Sequence, residues 1–178
     1  MYNMRAHYSR VRVKHLSIPV NQTSISFDNV LTGALPNMVI VCLVDDAEHA
    51  GGYQKNPYNF QNFGVNRIDL KRNSMLVPRN GQYKKYMTVL EQLNCDSGDK
   101  CISLTPSDWA TGYTLYAVKI NDAQIGLGIY GPRSKSATGS MRIKVSFAVA
   151  KNENIKVILL YQMLGRLECD EFQNVIVL

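Results

Sequence analysis

Residues 37–70, NMVIVCLVDDAEHAGGYQKNPYNFQNFGVNRIDL, decide the fold of this chain. The stretch opens with an apolar run at 38–44, which is rich in β-branched residues and long enough for one buried strand. A polar turn follows at 45–52, and residues 53–63 form a loop dense in asparagine and aromatic residues. Residues 64–70 have the pattern of a second strand, so the stretch predicts two core strands joined by a packed loop.

On both sides of this stretch, short segments alternate between apolar and polar residues, or are apolar throughout, as strands do. These segments are 9–18, 23–27, 75–78, 112–120, 125–130, 141–150, 154–164 and 174–178. One window, 83–93, has the apolar spacing of a helix, and residues 105–109 can start a brief helical turn. About eight strands with one short helix in a loop predict an all-β sandwich or barrel and argue against a parallel α/β sheet.

The composition is that of a globular protein, with 46% apolar and 19% charged residues in a chain of 178. Residues 1–8 form a loose basic lead-in, and we expect 9–178 to be a single domain. The net charge of +6 is compatible with an anionic partner but does not require one. No apolar stretch is long enough to span a bilayer, and the N-terminus lacks the apolar core of a signal peptide. We therefore expect residence in the cytosol or nucleus.

Two groups of basic residues could face an anion. They are Arg10, Arg12, Lys14, Arg133 and Lys135. The first three alternate with Val11 and Val13, which predicts a half-buried strand with its valines inside and a cationic outer face. The last two lie in a basic loop at 131–140. These residues form either an ordinary solvated surface or a weak contact with nucleic acid.

Sequence templates of catalytic sites are absent: there is no P-loop, no G-x-S-x-G elbow, no H-E-x-x-H motif and no Rossmann glycine fingerprint. An acidic turn, with Asp45, Asp46, Glu48 and His49, offers atoms of the kind that bind metals. Asp and Glu are equally expected at a turn because they are solvated and favour its geometry. Cys95 and Cys101 bracket a short loop that could close if oxidised, without the spacing of a structural zinc site. We expect no enzymatic activity, no cofactor and no metal.

The aromatic residues of the 53–63 loop allow more than one interpretation. Tyr53, Tyr58, Phe60 and Phe63 could stack on nucleic-acid bases, but only Lys55 and Arg67 supply positive charge nearby. Aromatic rings among Asn and Pro also suit a buried loop or a protein–protein contact.

A series of segments in the same order carries a resemblance to a known family. The segments are residues 16–19 (LSIP), 28–36 (DNVLTGALP), 39–45 (VIVCLVD), 52–60 (GYQKNPYNF), 112–117 (GYTLYA) and 139–148 (GSMRIKVSFA). Together they make the chain similar to the hexon-like major capsid protein of Polintons (Mavericks) and adintoviruses, over about residues 10–178. The most specific piece is the signature loop, which consists of Lys55, Asn56, Pro57, Tyr58, Asn59 and Phe60.

The resemblance implies a jelly-roll sandwich, the C-terminal one of a double jelly-roll capsid subunit. Such subunits form trimeric capsomers that tile an icosahedral shell, so the implied partners are other copies and other capsid proteins, and the implied location is the virion. A chain of 178 residues holds one such sandwich, as a fragment, a diverged genomic copy or a single jelly roll. The alternatives are a nucleic-acid-binding β-domain and a domesticated host jelly roll that binds proteins. If the chain is a jelly roll of the capsid family, the signature loop is expected to pack within the sandwich or against a neighbouring subunit.

Overall fold

A computed structural model of the chain describes residues 4–71, 89–91, 104–120, 138–169 and 175–177. Its strands are β1 (Met4–Ile18), β2 (Ser24–Ala34), β3 (Met38–Asp45), β4 (Val65–Lys71), β5 (Leu115–Lys119), β6 (Thr138–Phe147), β7 (Ile155–Cys169) and β8 (Val175–Val177). Its helices are α1 (Asp46–His49), the helical residues 89–91 (α2) and α3 (Pro106–Ala110). The all-β class expected from the alternating segments is confirmed.

Within the described residues, the strands form two antiparallel sheets. The five-stranded sheet has the order β1-β7-β3-β5, with β8 also paired to β7, and the three-stranded sheet has the order β2-β6-β4. From β1 to β7 the described strands belong alternately to the two sheets, and neighbours such as β1 and β7 are far apart in sequence. This Greek-key order is that of a jelly roll.

The core lies between the two sheets. Inward-facing residues of the five-stranded sheet, such as Val39, Val41 and Val157, pack with Ile143 and Val145 of the three-stranded sheet, and all five are fully buried. At about 25 cal/mol per Å² of buried apolar area, this packing is the main stabilising contribution to the fold. The alternation along β3 explains the apolar run at 38–44, because alternate residues of that run form the core side of the five-stranded sheet.

The outer side of β3 is also buried near α1. Cys42 and Val44 are fully buried although they face away from the core, and α1 packs against β3 and β7 at this end. Burial raises the pKa of the Cys42 thiol to about 12, so the group stays neutral. The strand is covered on both sides at Cys42 and Val44, so apolar residues do not alternate with polar ones there.

The bounds of several elements differ from those expected. Residues 4–8, expected to be a loose lead-in, belong to β1 and pair with residues 165–169 of β7. The acidic turn contains the short helix α1, because Asp45 caps it by accepting a hydrogen bond from the Ala47 amide at 3.2 Å. Residues 89–91 are helical, whereas the rest of the expected helix at 83–93, the strand-like pieces at 75–78 and 125–130, and most of the basic loop lie outside the described residues.

The expected orientation of β1 is wrong. Val11 and Val13 are 62% and 51% exposed, whereas Lys14 is half-buried on the same side as the core residue Ile18. The amine of Lys14 donates to the carbonyl oxygen of Val30 in β2 at 2.6 Å. This hydrogen bond gives the charged amine a partner on the inner side of the strand. Val11 and Val13 therefore lie on the outer side of the five-stranded sheet. The basic residues lie on the other side of β1, the side to which the core residue Ile18 belongs.

Candidate interaction surfaces

Four connections meet at one end of the sandwich, which we call the loop end. They are residues 19–23, 46–64, 105–114 and 148–154, and backbone hydrogen bonds tie them together. The Asn21 amide donates to Lys151 at 2.7 Å, Asp46 to Asn154 at 2.9 Å and Ala148 to Gly64 at 3.0 Å. These bonds tie residues 19–23 and 46–64 to residues 148–154, and hydrogen bonds of Phe60 tie residues 105–114 to 46–64, so the loop end is a continuous surface held by the fold.

The signature loop inserts its last residues between β3 and the segment that leads into β5. The Phe60 amide donates to the carbonyl of Gly112 at 2.8 Å, and the Thr114 amide donates to the carbonyl of Phe60 at 2.8 Å. The next residue, Gln61, donates its amide to Leu43 at 3.0 Å. The chain around Phe60 therefore continues the hydrogen bonding of the five-stranded sheet where β3 and β5 separate.

The remaining side chains of the signature loop lie closer to solvent. Lys55 and Asn56 are exposed, Pro57 is half-buried, and Tyr58 is 71% exposed with its ring edge-to-face against Phe60 at 6.5 Å. The amide of Tyr58 donates to Oδ1 of Asn56 at 3.0 Å, which fixes the turn. The loop thus combines an anchored end at Asn59 and Phe60 with an exposed tyrosine.

The acidic turn is tied into this architecture through its charged groups. Asp46 accepts from the Lys156 amine at 3.0 Å, and Glu48 accepts from Nδ2 of Asn59 at 3.0 and 3.2 Å. The His49 ring lies 4.9 Å from the His15 ring of β1, measured between centroids. These contacts hold α1 on the outer side of the five-stranded sheet. No three His, Cys, Asp or Glu side chains converge as a metal site in the part of the chain that the structure describes.

A buried pair of aromatic residues, Trp109 and Tyr116, lies between the loop end and the core. Trp109 is 1% exposed, donates its indole N–H to the carbonyl of Leu115 at 3.1 Å, and meets Tyr116 edge-to-face at 5.8 Å. Burial raises the pKa of the Tyr116 phenol, whose hydroxyl donates to Oδ1 of Asn62 at 2.8 Å. These contacts fix the positions of α3 and residue 62.

The helix α3 carries a capping box between Thr105 and Asp108. The Asp108 carboxylate accepts from the Thr105 hydroxyl at 2.6 Å and from its amide at 3.0 Å, and these hydrogen bonds lower the pKa of Asp108. The box fixes the start of α3 and therefore the position of Trp109.

Exposed apolar residues gather in two places within the described residues. Five of them, Val20, Tyr53, Tyr58, Tyr113 and Val149, belong to the loop end. The other two, Val11 and Val13, lie on the outer side of the five-stranded sheet. Tyr113, Val20 and Val149 were not singled out from the sequence, because a single apolar residue in a polar turn carries no periodic signal.

The outer side of the five-stranded sheet carries a contiguous apolar area. The register places Val13 opposite Leu160 and Leu160 opposite Ile40, so these three side chains share one face on adjacent strands. We call this area the valine face; its members are Val11, Val13, Met38, Ile40, Ile158 and Leu160. The last four are half-buried, which leaves the two valines as its most exposed part.

The three basic residues of β1 are brought to one side of the strand, although not the expected one. The Arg10 guanidinium lies 5.6 Å from the centre of the Tyr8 ring and donates to its hydroxyl at 3.1 Å. Among the described residues, Arg12 has no carboxylate partner, and Lys14 donates to Val30. Arg133 and Lys135 lie outside the described residues.

The fold is similar to that of a chain in the 3.5 Å resolution cryo-EM structure of the Sputnik virophage. The TM-score is 0.52 and the sequence identity is 12%, over 98% of this chain and 39% of that chain. This chain therefore spans about two fifths of its structural neighbour. At this identity the likeness shows a common fold, in agreement with the expected jelly roll.

No protein-family model matches the chain, and no curated protein does. Among the described residues, no helix is both long and apolar enough to cross a membrane.

Proposed function

We propose that this protein is a capsid-type structural protein whose jelly roll assembles with further copies into the shell of a virus-like particle. The observation that carries the proposal is the strand order, β1-β7-β3-β5 against β2-β6-β4, in a fold that is similar to a virophage chain. The exposed valine face supports it, because contiguous apolar surface on a folded domain commonly marks a protein contact.

The valine face suits a contact between copies of the chain. Its three strands, about 4.8 Å apart, and five register positions of about 3.3 Å each span roughly 240 Å² on one copy. A standard stable interface buries about 800 Å² per partner, so this face alone supports a weak contact. Closed symmetry repeats the same contact many times, and a shell can therefore be stable although each contact is weak.

The resemblance of the signature loop and its neighbouring segments extends the proposal to a particular family. We assign the chain to the hexon-like major capsid proteins of Polinton or adintovirus type, as one jelly roll of a trimeric capsomer. Its partners are then further copies and other capsid proteins, and its place is the virion and the cytosol or nucleus of the producing cell. Catalysis, a cofactor and a resident metal have no part in this proposal.

The assembly proposal is tested by measuring the molar mass of the protein over a range of concentrations by light scattering. The wild type is compared with Val13→Lys, which places a charge on the valine face. Val149→Lys is the matched control, because Val149 is 68% exposed and lies at the loop end. We expect assembly of the wild type and the control, and loss of assembly in Val13→Lys because burial of an unpaired charge is costly. A wild type that stays monomeric at the highest concentration contradicts the proposal.

Contact with nucleic acid is a second candidate function, favoured by one observation. Arg10 and Arg12 are exposed on the same side of β1, and neither has a carboxylate partner among the described residues. A titration with single-stranded and duplex DNA at two salt concentrations tests it. We expect weak binding that falls as salt rises and that decreases in Arg12→Ala; binding without salt dependence contradicts this role.

A further inference from the structure

The loop end contains a polar cleft of about 390 Å³, and its lining includes no residue of the valine face. Its polar lining consists of Asn59, Gln61, Asn62, Thr111, Lys151 and Glu153, with Gly64 and Gly112 forming part of its wall. A volume of this size lies within the range of small-molecule sites, but the lining is richer in carboxamides than an apolar ligand would favour. The chemistry of the cleft therefore indicates a polar ligand.

Two carboxamides of the lining are held by the fold in complementary orientations. Asn59 uses its N–H₂ group as donor to Glu48, which leaves its Oδ1 as an acceptor beside Gly112. Asn62 uses its Oδ1 to accept from the buried hydroxyl of Tyr116, which leaves its N–H₂ group as a donor. The cleft therefore offers one acceptor and one donor whose orientations do not depend on the ligand.

Two further side chains of the lining carry opposite charges. They are Lys151 and Glu153, and neither forms an ion pair with another described residue. The amine of Lys151 lies close to Gly64, since a Cβ added there would be 4.0 Å from Nζ. One donor and one acceptor of opposite charge fit a neutral ligand that can both donate and accept hydrogen bonds.

Two exposed tyrosines are sequence neighbours of lining residues. Tyr58 precedes Asn59 and Tyr113 follows Gly112, and these tyrosines are 71% and 54% exposed. Rigid rings beside a polar cleft provide flat apolar area at a small cost in conformational entropy. Such area fits the C–H face of a sugar ring, whose hydroxyl groups both donate and accept hydrogen bonds.

We propose that this cleft is a binding site for a neutral saccharide. Its hydroxyl groups would pair with the free amide atoms of Asn59 and Asn62 and with Lys151 and Glu153, and its C–H face would lie against Tyr113 or Tyr58. An extended peptide is a poorer fit. The backbone groups at Phe60, Gly112 and Thr114 already bond to one another, so they are not free to pair with an added strand. The inference does not depend on the assembly proposal.

A titration of the isotope-labelled protein followed by NMR tests this site. The probes are glucose, galactose and N-acetylglucosamine, and a blocked alanine dipeptide serves as the peptide probe. We expect at least one sugar to shift the amide signals of 59–64, 110–112 and 151–153 with a Kd on the order of 1 mM, as expected for a few hydrogen bonds. The blocked dipeptide is expected to leave these signals unchanged.

Three variants locate the site. Glu153→Ala and Lys151→Ala each remove one charged side chain of the lining and are expected to weaken sugar binding about fivefold, as for the loss of one hydrogen bond. Tyr53→Ala is the matched control, since Tyr53 is fully exposed but does not line the cleft, and its affinity is expected to be unchanged. The proposal is overturned if none of the sugars shifts these signals up to about a hundred times the expected Kd. Equal binding of the dipeptide, or affinities that the three variants leave unchanged, would also overturn it.

Discussion

Gly112 is the residue whose substitution tests most directly how the signature loop is held. Its φ is +117°, a value that residues with a side chain rarely adopt. A Cβ at this position would lie 2.9 Å from Oδ1 of Asn59, closer than real Cβ contacts come. Gly112→Ala therefore combines backbone strain with displacement of the carboxamide that bonds Glu48.

The expected loss of unfolding free energy in Gly112→Ala is the sum of these two contributions. A strained backbone costs about 1–3 kcal/mol, and the loss of the Asn59 hydrogen bond adds about 1 kcal/mol. At about 2–4 °C per kcal/mol for a domain of this size, a total of about 3 kcal/mol lowers the Tm by roughly 6–12 °C. The assay is thermal or urea unfolding followed by circular dichroism.

Gly33→Ala is the matched control for Gly112→Ala. Gly33 also has a positive φ, +93°, but nothing lies within 4 Å of its added Cβ. Gly112→Ala should therefore lower the free energy of unfolding by about 1 kcal/mol more than Gly33→Ala does. When both substitutions are made in a protein that already carries Asn59→Ala, they should cost the same, because the carboxamide that the new Cβ would displace is absent. If Gly112→Ala costs no more than Gly33→Ala, the contact between Asn59 and Gly112 does not hold the loop and the reasoning is refuted.

Three further predictions concern packing and charge. Phe60→Ala should cost about 2 kcal/mol of unfolding free energy because the ring is half-buried. Tyr58 is exposed, so Tyr58→Ala should change the free energy of unfolding by less than about 0.5 kcal/mol. Equal effects of the two substitutions in urea unfolding would contradict this. Gly165→Ala should cost about 1–3 kcal/mol, because its Cβ would collide with the ring of Tyr8 on the paired strand, and Tyr8→Ala in the same chain should restore most of the loss. The lowered pKa of Asp108 stabilises the folded state above its ordinary value of 3.8, and this contribution is lost as the pH falls through the folded pKa. Asp108→Ala should therefore destabilise the protein at neutral pH and converge with the wild type in strong acid; a constant difference at all pH values would show that the carboxylate charge has no role.

The sequence was sufficient to predict the elements whose environment matches their local pattern. The apolar run at 38–44 is β3, and the alternating segment at 141–150 overlaps β6, because both have a buried side in the core. The strand order could not be derived from these patterns. The pairing of β1 with β7 joins residues more than a hundred positions apart, and no local signal specifies it. The jelly-roll expectation came instead from the family resemblance.

The orientation of β1 shows where reasoning from periodicity fails. An alternation of valine and basic residues reveals two faces, but it does not reveal which face is inside. Lys14 can lie on the inner side because the carbonyl oxygen of Val30 accepts its hydrogen bond, a partner sixteen residues away in sequence. The valines are then outside, where burial against a second copy would remove them from water.

The candidate site was predicted in part. The signature loop was identified by its residues, and the structure places it at the loop end with Phe60 in the sheet hydrogen bonding. The cleft depends on contacts between connections that are distant in the chain, such as that between Asn62 and Tyr116, which no spacing in the sequence indicates.

We propose that copies of this jelly roll assemble and that they meet through the valine face. Electron microscopy of the concentrated protein, with a reconstruction of whatever assembly forms, distinguishes this arrangement from the alternatives. We predict a closed, symmetric particle or capsomer in which Val11 and Val13 are buried between neighbouring copies. Single copies at all concentrations, or an assembly that leaves both valines in solvent, would contradict the claim.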